Sequence, residues 1–199
     1  MVHAMIFAGG IGASRTGLDI PKQFINVYDK PVLIYTLEGF QKNPQIDAIE
    51  VVCIDGWHDI LRAYSKQFGI TKLNKIILGG SSAQESIKNG VNSLKDTCND
   101  DDLIIIHDGV RPLVDDFVLS DVIVKAKQFG NAVTSMPYNE QIFKIFDEKS
   151  TKEYIPRETL RRVATPQAYK FKKLYESYEI AFEKNIGIGP SSYTNTMMV

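Results

Sequence analysis

The sequence predicts an α/β fold: a mostly parallel sheet with helices on both faces and a projecting β-arm. Three observations carry this. Short apolar runs rich in β-branched residues alternate five times with segments of helical period. The glycine-rich and charged stretches, 9–23, 79–82 and 107–114, each follow one of those runs. They therefore fall at the carboxyl ends of the strands, where open α/β sheets bind ligands. Finally, one stretch, 139–162, breaks the alternation and has no place inside such a sheet.

Residues 3–8 form the first strand. Pro31 opens a helix that carries Leu33, Ile34, Leu37 and Phe40 at helical spacing. The run 48–54 is continuous and β-branched, as a strand covered on both faces should be. Residues 57–68 form a helix with Ile60, Leu61, Tyr64 and Phe68 on one face. A third strand, 75–78, ends at Gly79-Gly80, and Ser82 or Ala83 starts a helix that turns Ile87, Val91 and Leu94 inward. Residues 103–106 are a fourth strand. Asp115 or Asp116 caps the next helix, with Val118, Val122, Ala126 and Phe129 in register, and 132–136 is a fifth strand. Repeated strand–helix units give a parallel sheet, here Rossmann-like. Within the irregular stretch, 141–146 alternates, 147–150 is a turn and Tyr154-Ile155 returns. This arm is either a dimer contact or a plain surface excursion. Thr165-Pro166-Gln167 then precedes a last helix, 170–185, burying Phe171, Leu174, Tyr178 and Phe182. The 199 residues read as a single domain, and the apolar end at Met197-Met198-Val199 reads as a domain cut short.

Composition narrows the function. A hydrophobic content of 44% and a charged content of 24% belong to a globular chain, and a net charge of −1 argues against nucleic acid as a partner. Neither a membrane span nor a signal peptide is expected. Cys53 and Cys98 form no paired motif, which suggests a cytoplasmic home and a buried thiol at Cys53. His3, His58 and His107 lie far apart in sequence, which argues against zinc.

The chemistry concentrates in four places. Ala8-Gly9-Gly10-Ile11-Gly12 runs straight out of the first strand, with Arg15 and Lys22 shortly after. Glycines let backbone N–H groups approach an anion, and the cations neutralise it, so the loop suits a polyphosphate. The alternatives are an ordinary tight turn or a dinucleotide fingerprint, but Arg15 stands where the last glycine of that fingerprint belongs. Gly79-Gly80-Ser81-Ser82 leads into the helix containing Ser86, where Ser86 and the Gly80 N–H could hydrogen-bond a base, unless this is only a capped turn. His107-Asp108-Gly109-Val110-Arg111-Pro112 delivers a hard carboxylate that suits Mg²⁺, or else a structural Asp–Arg pair, with His107 a packed strand-end residue. Arg157 on the arm matters only if the arm reaches a site.

Taken together and in order, AGG-x-G…R…PKQ, GG…ESIKNG, HD-x-VRP and TPQ resemble the sugar/polyol-phosphate cytidylyltransferases over essentially the whole chain. Phe24, Asp55-Gly56-Trp57, Ser86-Ile87-Lys88-Asn89 and Val110 look more like the ribitol-phosphate branch than the methylerythritol-phosphate branch. The resemblance implies that Ala8, Gly9, Gly10, Gly80 and Ser86 hold the cytidine of CTP and that Gly109, Arg111 and Thr165 lie beside the nucleotide. It implies that Asp108 holds Mg²⁺ and that Arg15 and Lys22 act on the CTP phosphates. Arg157 would grip the phosphate of the second substrate, a polyol phosphate, in a homodimer formed through the arm. The chain departs from the family pattern at Ser14, Ser81, Glu140-Gln141 and Asn195. These departures leave a second reading, a nucleotide-binding protein with an eroded site. A third, a nicotinamide-dependent oxidoreductase, rests on the glycine loop alone.

Overall fold

The structure, a computed structural model, describes residues 1–10, 20–189 and 194. In chain order the strands are β1 (Val2–Ala8), β2 (Asn26–Val27), β3 (Lys30–Pro31), β4 (Ala48–Cys53), β5 (Leu73–Leu78), β6 (Leu103–Asp108), β7 (Asn131–Pro137), β8 (Ile142–Ile145), β9 (Thr151–Ile155) and β10 (Arg161–Lys170). The helices are α1 (Val32–Lys42), α2 (His58–Gln67), α3 (Ala83–Asn92), α4 (Asp116–Phe129) and α5 (Phe171–Lys184). Six strands form the main sheet in the order β5-β4-β1-β6-β10-β7. β5, β4, β1 and β6 pair in parallel, whereas β10 is antiparallel to both of its neighbours.

Side-chain alternation along the strands builds two cores. Ala4, Ile6, Val51, Cys53, Leu103 and Ile105 face one way and pack with Leu33, Leu37 and Phe40 of α1, Leu61 of α2 and Ile123 of α4. Met5, Val52, Ile104 and Ile106 face the other way, onto Val91 of α3 and Leu174 and Tyr178 of α5. Continuous apolar runs are what a sheet covered on both faces needs.

The helix starts follow the sequence. Pro31 precedes α1, the Asp115 carboxylate accepts the Phe117 N–H at 2.7 Å, and the Ser82 hydroxyl accepts the Glu85 N–H at 3.1 Å. Two inward faces differ from expectation. In α4, Leu119, Val122, Ile123 and Ala126 are buried while Phe129 is 69% exposed, and in α2 Ile60 lies on the exposed side. α4 carries more apolar residues than one face can hold, so packing decides which are covered; α2 buries the face of Leu61 and Ser65, and Ile60 lies beside it.

The fifth strand is present as β7 but does not extend the parallel ladder. β10 lies between it and β6. β10 was not expected, because Pro166 argues against a strand interior. The register shifts between Val163 and Gln167, so Pro166 sits where no ladder N–H is required, and its carbonyl accepts the Thr134 hydroxyl at 2.7 Å. β8 and β9 form the expected arm as a separate antiparallel pair. Among the described residues no helix is long and apolar enough to cross a membrane.

Cys53 is fully buried, and burial pushes its thiol up to about 12, whereas Cys98 is half-buried. Alkylation of native, metal-free protein at neutral pH is therefore expected to modify Cys98 and spare Cys53 until the chain unfolds. Equal labelling of the two on a peptide map would contradict the packing of β4.

Candidate active site

The carboxyl ends of β1 and β6, the loop after β5 and the middle of β10 enclose a cleft of about 510 Å³. Ala8, Gly9 and Gly10 form one wall, Gly80, Ser81, Ser82, Ala83 and Ser86 a second, and Asp108, Val110, Arg111, Thr165 and Gln167 a third. Lys22 and Thr194 complete the lining. The volume falls within the ordinary range for small-molecule sites.

Each wall has a local cause. The end of β1 is fixed by Gln23, a buried side chain whose Nε2 donates to the Ala8 carbonyl at 2.6 Å. That bond anchors the short 3₁₀ turn Lys22–Phe24 and leaves Lys22 exposed on the cleft side. The Gly80 loop is held by the start of α3. The Gly80 N–H donates to Ser86 Oγ at 2.9 Å, and that hydroxyl donates to the Ser82 carbonyl at 2.9 Å. Glu85 reaches back to accept the Ser81 N–H at 2.7 Å, a variant of the capping box. The Ser81 hydroxyl and N–H hold the Glu85 carboxyl below its ordinary range. Ser86 thus shapes the loop, and its hydroxyl also lines the cleft with an acceptor position left over. Ser86→Ala is expected to weaken CTP binding roughly fivefold, the equivalent of about 1 kcal/mol for one such bond. Calorimetry with CTP checks this, and unchanged affinity would show that the loop holds its shape without the bond.

On the third wall the Arg111 Nε donates to Asp108 Oδ2 at 2.6 Å, in an ion pair that is partly exposed on both sides. The Asp–Arg pair therefore exists, and it lies inside the cleft. Asp108 is the one carboxylate on the cleft wall among the described residues. The Asp108 N–H lies 3.4 Å from the Thr165 hydroxyl, so β10 brings Thr165 against the backbone of Asp108. His107 is fully buried, and its Nε2 meets the Arg111 carbonyl at 3.0 Å. Burial pulls its pKa down, so it is a neutral ring that braces the 107–111 turn, as expected of a packed strand-end residue.

Of the expected site residues, Ala8, Gly9, Gly10, Lys22, Gly80, Ser86, Asp108, Arg111 and Thr165 meet at the cleft. Gly109 stands behind the wall. Its N–H donates to the Phe7 carbonyl at 2.9 Å and its carbonyl accepts the Thr36 hydroxyl at 2.9 Å. Arg157 is on the arm, exposed, and bonds the Asn139 carbonyl at 3.3 Å; it does not reach this cleft. Arg15 lies outside the described residues. Sequence reasoning gave no role to Gln23 or Gln167, although both sit in the quoted motifs PKQ and TPQ. Gln167 is buried, donates to the Ala164 carbonyl at 3.1 Å and accepts the Tyr169 hydroxyl at 2.8 Å, which stiffens the β10 wall.

Among the described residues no serine or cysteine of the cleft is paired with a histidine base. The charged groups on the cleft, Lys22, Asp108 and Arg111, are of the kind with which a nucleotidyltransferase positions and neutralises phosphates. Comparison with known proteins gives the family. The chain belongs to the 2-C-methyl-D-erythritol 4-phosphate cytidylyltransferase (IspD) family, matched over residues 2–190. It is 56% identical over its whole length to a ribitol-5-phosphate cytidylyltransferase of Lacticaseibacillus paracasei, 85% of which it covers. A ribitol-5-phosphate cytidylyltransferase of Vibrio parahaemolyticus is 38% identical over 90% of this chain and 76% of its own. A 2-C-methyl-D-erythritol 4-phosphate cytidylyltransferase of Clostridium novyi is 34% identical over 93% of this chain and 78% of its own. The fold matches that of 4-diphosphocytidyl-2C-methyl-D-erythritol synthase from Anaerococcus prevotii with a TM-score of 0.80, at 22% identity, over 98% of this chain and 80% of that one.

Proposed function

We propose that the protein transfers the cytidylyl group of CTP to D-ribitol 5-phosphate, forming CDP-ribitol and releasing pyrophosphate. The observation that carries this is the 56% identity, over the full chain, to a ribitol-5-phosphate cytidylyltransferase. Relatives near 34% identity carry both acceptor names, so they do not discriminate.

In this reaction an oxygen of the acceptor phosphate attacks the α-phosphorus of CTP, the bond to the bridging oxygen breaks, and pyrophosphate leaves. Charge builds on the non-bridging oxygens and on the leaving group. Lys22 and Arg111 stand at the cleft to neutralise it, and Arg15 follows the same glycine loop in sequence. The glycine-framed walls at Gly9 and Gly80 hold the nucleoside, and the Gln23 and Ser86 bonds keep those walls in place.

Mg²⁺ suits the site. It takes one or two protein carboxylates and completes its shell with phosphate and water oxygens. Asp108 supplies one hard carboxylate beside the cleft, with Arg111 on Oδ2 and Oδ1 left to turn toward a cation. When bound, the ion would polarise the phosphate oxygens.

The arm supports a homodimer. Phe143, Ile145, Phe146 and Tyr154 are all more than half exposed on one small hairpin, an apolar surface that a second copy would cover. A Phe143→Glu, Ile145→Glu double variant is expected to shift the mass in light scattering from two chains to one. An unchanged mass would remove the arm from the interface. A cytoplasmic location fits this reading, since both substrates are soluble and charged.

The deciding experiment measures pyrophosphate release with CTP against ribitol 5-phosphate and methylerythritol phosphate in parallel. Preference for ribitol 5-phosphate is expected. Turnover confined to methylerythritol phosphate would reassign the acceptor, and CTP binding with no release would mean an eroded site.

A further inference from the structure

At the edge of the sheet opposite the cleft lies a second group of chemically active side chains. His3 near the start of β1, Cys98 in the loop after α3 and Asp102 just before β6 each aim a ligand-type atom at a common point. These atoms all lie within 4.8 Å of one another. His3 is 3% exposed and Asp102 5%. Two segments supply the group: the start of β1, and the loop between α3 and β6, which carries both Cys98 and Asp102.

The histidine is held as a metal-bound histidine is held. Its Nδ1 meets Glu50 Oε1 at 2.9 Å inside the protein, and Asn74 Nδ2 donates to the same oxygen at 3.2 Å. With Nδ1 engaged, Nε2 is the remaining ring nitrogen, buried and without a hydrogen-bond partner, on a ring whose ligand atom lies within 4.8 Å of those of Cys98 and Asp102. An imidazole fixed through one nitrogen by a carboxylate, with the other nitrogen presented, is the usual outer support of a zinc ligand. Asp102 already accepts the Met1 ammonium on Oδ1 and the Asn99 N–H on Oδ2 at 2.7 Å. An ionised carboxylate has about four acceptor positions, so both oxygens can still bind a cation.

We propose that His3 Nε2, Cys98 Sγ and Asp102 form a site for Zn²⁺, with water in the fourth position. A thiolate, an imidazole and a carboxylate together suit zinc better than Mg²⁺ or Ca²⁺, which take oxygen ligands. Cys98 is half-buried, so water and metal have access. Zinc bonds of about 2.0–2.3 Å require the three atoms to draw together by roughly 1 Å. Cys98 lies on a loop that allows this. The ion must also displace protons from the ring and the thiol, so binding is favoured at higher pH. Such an ion would tie β1, β6 and the exit of α3 together, away from the chemistry.

The test uses the whole protein with excess Mg²⁺ to occupy hard-ligand sites. Zn²⁺ is titrated in competition with a chromogenic chelator, and Co²⁺ is added separately as a spectroscopic probe. One Zn²⁺ per chain is expected, with affinity at least about tenfold weaker in Cys98→Ser. Co²⁺ should give a thiolate charge-transfer band that is absent from Cys98→Ser, and Zn²⁺ should slow alkylation of Cys98. Cytidylyl transfer should be the same in both proteins. Equal Zn²⁺ affinity in Cys98→Ser, or no cobalt–thiolate band and no protection of Cys98, would overturn the site and leave a buried His–Glu pair beside a free thiol.

Discussion

Lys22→Ala is expected to fold like the parent and to retain about a percent or less of cytidylyl transfer. The two halves of this result have different causes. Lys22 is exposed, and the structural work of its turn is done by its neighbour Gln23, which bonds the Ala8 carbonyl from a buried position. Removing an exposed cation of this kind usually changes stability by no more than about 0.5 kcal/mol. The rate is another matter. CTP is a polyanion throughout, but further negative charge builds on the leaving pyrophosphate as the transition state forms, so a fixed cation at the cleft stabilises that state more than the ground state. Deleting one such group typically costs about 10²–10³ in rate. The loss should appear in kcat, with CTP affinity changed far less. The melting temperature and the steady-state constants decide it. Near-normal kcat would take Lys22 out of the reaction, and a large fall in melting temperature would make it a folding residue.

The contrast between Lys22 and Gln23 shows what the sequence could reveal. A cation after a glycine loop is visible from chemistry alone. The bond from Gln23 to Ala8 joins residues fifteen apart and exists only once β1 and the 3₁₀ turn have docked. β1, β4 and β6 were legible because a strand covered on both faces must be apolar along its length, and β5, a half-covered edge strand, from its short Ile76-Ile77-Leu78 run before Gly79-Gly80. β10 was not, because its first residues are polar and Pro166 interrupts it. Its place between β6 and β7 is a long-range pairing that no local pattern encodes, yet it sets Thr165 beside Asp108. Helix existence followed from caps and period. Helix facing failed at Phe129, at the end of an apolar-rich helix, and at Ile60, which lies beside the face that buries Leu61 and Ser65. The His3 cluster was hidden for the same reason as β10: residues 3, 98 and 102 meet only because β1 and β6 are neighbours.

Gly80→Ala should do more damage than the addition of one methyl group suggests. A Cβ at this position would lie 2.4 Å from Glu85 Cγ, 2.6 Å from Glu85 Cβ and 2.9 Å from its backbone carbonyl carbon. The side-chain end could swing away. The Cβ and the carbonyl carbon belong to the first turn of α3 and cannot. Glu85 is also the residue that caps this turn through Ser81. The methyl group therefore lifts the loop off the helix, breaks the Gly80–Ser86 bond and opens the cap. Overpacking of this kind costs about 1–3 kcal/mol. A wall displaced by about 1 Å can cost on the order of 10²-fold in rate. Gly10→Ala is the control, since a Cβ there meets nothing within 4 Å and should leave the melting temperature unchanged. A lowered melting temperature and weak CTP binding in Gly80→Ala, beside an unshifted Gly10→Ala, would show that the close approach of this loop to α3 holds the wall. Two variants melting alike would mean the loop can rise without disturbing the helix, and the wall would then have to be positioned by the nucleotide itself.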